Sequence, residues 1–179
     1  MTDCICASPR GKESTSYKLL CRVKPGKDVL CFPDAAPSGD TAIIAFPLYF
    51  DGVPAKTLGS LSKLPEKTKK IYAICNCGYY DARATAPAFS VLNAFCARTG
   101  RTFEGGVGIG AGPLSSMYPH LPAALHPHKK TFEAIRDLSY CAEHSLPFGV
   151  RYFEPRIPRA LYLRTLNGAF RLRAKRFRP

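Results

Sequence analysis

Nine residues near the N-terminus, Ser8-Pro-Arg-Gly-Lys-Glu-Ser-Thr-Ser16, place four hydroxyls, two cations and a glycine between a short apolar segment and a stretch that can start a helix. At a strand-to-helix junction such a loop can hold a phosphate, because backbone N–H groups and the positive end of the helix dipole converge on one place. The hydroxyls of Ser8, Ser14, Thr15 and Ser16 add donors, and Arg10 and Lys12 add charge. The same composition also suits an ordinary loop in which Ser14 or Thr15 caps the helix.

Two later segments bear on the choice. Pro47-Leu-Tyr-Phe-Asp-Gly-Val-Pro54 offers aromatic and apolar surface with free backbone groups. Asn76-Cys-Gly-Tyr-Tyr-Asp81 offers an amide, a glycine that permits close backbone approach, and two tyrosines. The chain contains no evident triad or general acid, and His120, His126 and His128 fall in a Pro-rich loop expected at the surface. Eight cysteines sit at 4, 6, 21, 31, 75, 77, 96 and 141, mostly within apolar segments, which reads as buried thiols rather than a disulfide framework. Cys4/Cys6 and Cys75/Cys77 are C-x-C pairs on expected strands, where alternate residues share a face. Their spacing does not match a zinc knuckle.

The elements that must position these loops follow from periodicity. Strands are expected at Asp3–Ala7, Asp28–Phe32, Thr41–Phe46, Lys69–Cys75 and Thr102–Ile109, the third and fourth as continuous apolar runs typical of strands buried on both faces. Helices are expected at Thr15–Val23, Ala55–Leu64, Ala86–Thr99, Lys130–His144 and within Pro158–Phe177. Strands alternating with helices predict an α/β domain with a parallel sheet, and the length suits one domain over residues 1–179. In a doubly wound sheet the three loops leave carboxyl ends of strands and converge on one crevice, where the strand order reverses. The pattern of a phosphate loop beside an aromatic slot suits a flat heterocycle carrying a phosphate tail.

Net charge is +13, of which residues 151–179 carry +8 with Glu154 as their single acid. Such a basic C-terminal segment, helical over about 156–179, suits an anionic partner or a solvated helix face. It does not read as a nucleic-acid surface: Tyr162, Phe170 and Phe177 fall on an apolar stripe with Leu163 and Leu166 instead of interleaving for base stacking. No apolar run approaches the roughly 20 residues of a transmembrane span, and no leader precedes the first strand, so a cytoplasmic protein is expected.

Taken in order, these segments resemble the flavodoxin-like NAD(P)H-dependent FMN reductases. Ser8–Ser16 is similar to that family's phosphate loop, Ala45–Ala55 to the segment lining the isoalloxazine ring, and Asn76–Asp81 to the third flavin loop. Gly105-Gly-Val-Gly-Ile-Gly-Ala-Gly112 is similar to the glycine-rich strand ending near them. The resemblance implies a flavodoxin-like, doubly wound, five-stranded parallel sheet in the order 2-1-3-4-5, with helices on both faces. It implies FMN as cofactor, with Ser8, Arg10, Ser14, Thr15 and Ser16 on its phosphate. Pro47, Leu48, Tyr49 and Phe50 would meet the ring and ribityl chain, and Asn76, Gly78 and Tyr79 the far side of the ring.

NAD(P)H would be the co-substrate, passing hydride to flavin N5, and a small-molecule electron acceptor such as a quinone, nitro compound or metal chelate would then take the electrons. Many relatives are dimers, so a homodimer is implied. Ala7 stands where the family commonly has glycine, and the first βαβ unit is shorter than usual. The alternative is a non-enzymatic flavodoxin-like protein, either an electron carrier or a flavin-free scaffold, whose basic tail binds an anionic partner.

Overall fold

The computed structural model describes residues 1–23, 28–32, 37–117 and 121–176. In chain order its strands are β1 (Thr2–Cys6), β2 (Val29–Cys31), β3 (Thr41–Pro47), β4 (Lys70–Asn76), β5 (Thr102–Ile109) and β6 (Gly149–Phe153). The helices are α1 (Thr15–Val23), α2 (Ala55–Leu61), α3 (Ala86–Arg98), α4 (Leu114–Met117), α5 (Lys129–His144) and α6 (Arg159–Arg176). All strand pairs are parallel, in the order β2-β1-β3-β4-β5-β6.

Every residue of β3 is buried, as is β4 after Lys70, because helices cover both faces of the sheet. On one face α1 and α5 pack Leu19, Leu20, Val23, Phe132, Ile135 and Leu138 against Cys4, Cys6, Ile43, Tyr72, Ile74 and Val107. On the other, α2 and α3 pack Leu61, Phe89, Leu92 and Cys96 against Ile5, Ile44, Phe46, Ile71 and Cys75. The two C-x-C pairs therefore lie on opposite sides of the sheet, Cys4/Cys6 on the first and Cys75/Cys77 on the second, so their four thiols do not converge.

Three sequence expectations are corrected. The sheet has six strands, not five: β6 pairs with β5 from Gly105↔Gly149 to Ile109↔Phe153. It is a short, largely exposed edge strand containing Arg151, so it lacks the apolar run that marks a central strand. Its junction requires glycine, since Gly105 has φ +132° and a Cβ there would collide with the backbone of Gly149.

The second correction concerns His126 and His128, which are buried instead of lying on the surface, packed beside Phe132 at the start of α5. His120, like Phe177, falls outside the described residues. The third concerns α6, whose buried anchor is Tyr162; Leu163 and Phe170, expected on the apolar stripe, are exposed. Tyr162 packs with Ala111 and Leu114, with Tyr80 and Leu166 against them, at the carboxyl end of the sheet.

Candidate functional site

The loops after β1, β3, β4 and β5 meet at the carboxyl edge, over the point where β1 lies between β2 and β3 and the strand order reverses. Local chemistry shapes the first of them. Gly11 takes φ +52°, and the Ser14 hydroxyl donates to the Gly11 carbonyl at 2.6 Å while accepting the Tyr17 N–H at 3.1 Å. Ser14 is thus the N-cap of α1. The Thr15 and Ser16 amides that follow belong to the first helical turn, where N–H groups have no intrahelical acceptor.

The second loop begins with Leu48, whose N–H donates to the Asn76 carbonyl at 2.8 Å. Tyr49 and Gly52 then exchange backbone hydrogen bonds at 3.2 and 3.0 Å around Phe50 and Asp51, whose φ angles are +48° and +57°. Two consecutive positive φ values define the tight type I′ turn, which normally uses Asn or Gly. A phenylalanine there is strained, and its ring is fully exposed.

Asn76 links the loops. Its Oδ1 accepts from the Ser16 hydroxyl at 2.8 Å, in a bond buried from solvent. Gly112, in the loop after β5, comes so close that a Cβ would sit 3.0 Å from the Cβ of Asn76, and its N–H donates to the Cys77 carbonyl at 2.7 Å. From α6, the Tyr162 hydroxyl donates to the Gly78 carbonyl at 2.6 Å, and Tyr80 donates to the carbonyl of Ile157 at 2.7 Å. The last helix is thereby fastened to the third loop.

These contacts enclose two connected hollows. The smaller, about 230 Å³, is a cup lined by Ser8, Arg10, Ser14, Thr15 and Ser16 from the first loop and by Pro47, Leu48 and Tyr49 from the second. Asn76, Gly78 and Pro113 complete it. Ten of the twelve residues singled out from the sequence therefore surround one cup. The other two, Phe50 and Tyr79, line a larger trough of about 910 Å³ that shares Leu48, Tyr49, Gly78 and Pro113 with the cup. Its remaining walls include Tyr80 and Asp81, with Arg159, Tyr162, Leu163, Leu166 and Phe170 from α6. Sequence reading missed Pro113 and the α6 wall. The Gly112-Pro113 end of the glycine run and the apolar stripe of α6 were the available signals.

Charge is divided between the two hollows. Arg10 is the charged residue lining the cup, while Asp51, Asp81 and Arg159 line the trough. The hydroxyls of Ser14 and Ser16 are engaged within the protein. That of Thr15 lies 3.5 Å from Ser116 Oγ, and that of Ser8 accepts the Arg10 N–H at 3.4 Å, which leaves the Ser8 proton available to donate. Ala7 packs into the core on the α2 side, and its carbonyl accepts from Thr57 at 2.8 Å. The Cys77 thiol beside the third loop is pushed up to about 11 by burial and stays neutral at physiological pH. Burial also raises the pKa of Tyr162.

No protein-family profile matches this sequence, and no curated protein matches it. Among solved structures, the Trp repressor binding protein from Bacillus subtilis superposes over 77% of this chain and 99% of its own, with a TM-score of 0.54 at 15% identity. The likeness is one of fold: the chain has a flavodoxin-like α/β fold, extended by a sixth strand.

Proposed function

We propose that this chain binds flavin mononucleotide across the carboxyl edge of its sheet and acts as an FMN-dependent oxidoreductase, taking hydride from NAD(P)H and delivering electrons to a small acceptor. The observation that carries this reading is a cup lined by Arg10 and four hydroxyl residues that shares its wall with an aromatic trough at the β1/β3 reversal. The amides of Thr15 and Ser16, the Ser8 hydroxyl and Arg10 would hold the phosphate, while Ser14 shapes the loop and Asn76 fixes its distance from the third loop. Tyr49 and Gly78, at the junction of the hollows, would meet the ribityl chain and ring edge, with Phe50 and Tyr79 beyond them.

When bound, the flavin supplies the hydride and electron chemistry. The chain's own part is to orient the ring and exclude water. Tyr162 and Leu166 close the trough from the α6 side, and Leu163 and Phe170 offer apolar surface to a second planar molecule.

A second reading is a flavodoxin-like scaffold that works without flavin. It is favoured by one observation, the commitment of the Ser14 and Ser16 hydroxyls to internal hydrogen bonds. An absorbance spectrum of the protein, recorded after adding excess FMN and desalting, separates the two. Bands near roughly 370 and 450 nm that travel with the protein and bleach with NADH or NADPH support the oxidoreductase. A colourless protein with all FMN in the small-molecule fraction supports the scaffold.

A further inference from the structure

Cys6 ends β1, Cys31 ends β2, and the two are direct partners in the parallel register of these strands. Residues level with each other on neighbouring strands project to the same face, and both cysteines pack into the core layer beneath α1. Neighbouring strands run about 4.8 Å apart, within the roughly 4.4–6.8 Å between Cα atoms that a disulfide can span. Both thiols are free, Cys6 buried and Cys31 half-buried. The inner thiol touches the phosphate loop: Cys6 Sγ lies 3.5 Å from Ser14 Oγ and 3.8 Å from the Gly11 carbonyl oxygen. Those are the two groups whose mutual hydrogen bond shapes the loop.

We propose that Cys6 and Cys31 are a redox-active dithiol site that takes a low-molecular-weight disulfide of the glutathione type, and that its closure alters the loop from Gly11 to Ser14. Cys31, the accessible member, loses its proton and attacks one sulfur of the small disulfide. The S–S bond breaks, one small thiolate leaves, and a mixed disulfide forms on Cys31. The Cys6 thiolate then attacks Cys31 Sγ, expels the second small thiolate and completes the cross-strand bond. Two protons and two electrons leave the protein, and the small disulfide is reduced to two thiols.

The environment sets the rate of the first step. Burial, with the neighbouring Cys6 next, raises the Cys31 pKa, and Lys12 opposes them. Oxidation is therefore slow near neutrality and speeds up by about tenfold per pH unit below that pKa, because the thiolate is the nucleophile. The thiol chemistry needs no ligand in the cup, and closure reaches the cup through Ser14, which lines it.

The test is to incubate the full chain with oxidised glutathione at pH 7 and pH 9, alkylate the remaining thiols and map the peptides by mass spectrometry. Expected are a product lighter by two hydrogens, a peptide linking Cys6 to Cys31, and faster formation at pH 9. Cys21→Ser, which removes the exposed thiol of α1, gives the same link. Cys31→Ser gives none and leaves Cys6 unmodified. Amide hydrogen exchange over residues 10–16 changes on oxidation of the wild type but not of Cys31→Ser. A persistent mixed disulfide on Cys31, a link from Cys21 to Cys31, two alkylated thiols after full exposure, or unchanged exchange in the loop overturns the proposal.

Discussion

The Ser16 hydroxyl donates to Asn76 Oδ1 across 2.8 Å, from the first turn of α1 to the end of β4, and both side chains are buried. This bond ties the first loop to the third at the cup, which both residues line. Ser16→Ala should lower stability by about 1–2 kcal/mol by leaving the amide oxygen without its donor, and Asn76→Ala by a similar amount. Chemical denaturation of both variants and of the double variant checks this. A coupling energy near zero would mean that the two residues act separately.

The Phe50–Asp51 turn trades stability for an exposed aromatic ring. Replacing the pair with Asn-Gly relieves two strained residues and should raise stability by on the order of 1 kcal/mol, read as an increase in Tm. If Phe50 serves the trough, the same variant retains less FMN on desalting. A variant that gains stability and retains FMN fully would show that the ring has no part in binding.

Tyr162 carries two separable roles. Tyr162→Phe removes the hydrogen bond to the Gly78 carbonyl while keeping the packing, at about 1 kcal/mol. Tyr162→Ala also empties the contact with Ala111 and Leu114, and a cost of about 3–5 kcal/mol is expected. Limited proteolysis should then cut between β6 and α6 in the alanine variant, well before it cuts the phenylalanine variant.

Acid should destabilise the protein through its buried histidines. Burial lowers the pKa of His128 to about 4, with His126 also pushing it down and the Ala111 carbonyl opposing; His126 is lowered by burial and by Arg22. Because the folded pKa lies below the unfolded value near 6.5, the unfolded chain takes up the proton first. Stability is therefore whole above about pH 6.5 and falls as pH drops toward 4, with roughly 3 kcal/mol lost through His128. The pair is built for the neutral form: His126 Nδ1 accepts the His128 N–H at 3.0 Å, which puts the His126 proton on Nε2, a buried atom with no partner among the described residues. Urea titrations from pH 7.5 to 4.5 should show the slope, and His128→Gln should flatten it.

How much of this was legible follows from what each segment buries. Thr41–Pro47 and Lys70–Asn76 announce themselves because a strand covered on both faces has to be apolar throughout. The start of α1 was legible because Ser14 is the kind of small hydroxyl residue that caps a helix. Gly149–Phe153 was not, since an edge strand leaves one backbone side free and carries no apolar run. The burial of His126 and His128 was hidden for a different reason. Each is satisfied locally or tolerated in place, through His128 Nδ1 and Thr131 Oγ1 at 3.1 Å and through ring contacts with Phe132, and proline-rich composition says nothing of such partners. Tyr162 was visible on the apolar stripe of its helix, but the stripe does not say which of its members is buried, and Leu163 and Phe170 on the same stripe are exposed.

The all-parallel strand order has a kinetic consequence. No two strands of this sheet can pair through a hairpin, since every parallel pairing needs a crossover. Thr2 has to find Thr41, and β5 has to await β6 until α5 has formed between them. Loop closure is thus paid before contacts repay it, which places the chain among slow-folding topologies of high contact order. While it waits, the apolar β3 and β4 are exposed together, and during synthesis the growing chain is most open to misassociation in the interval before β5 arrives.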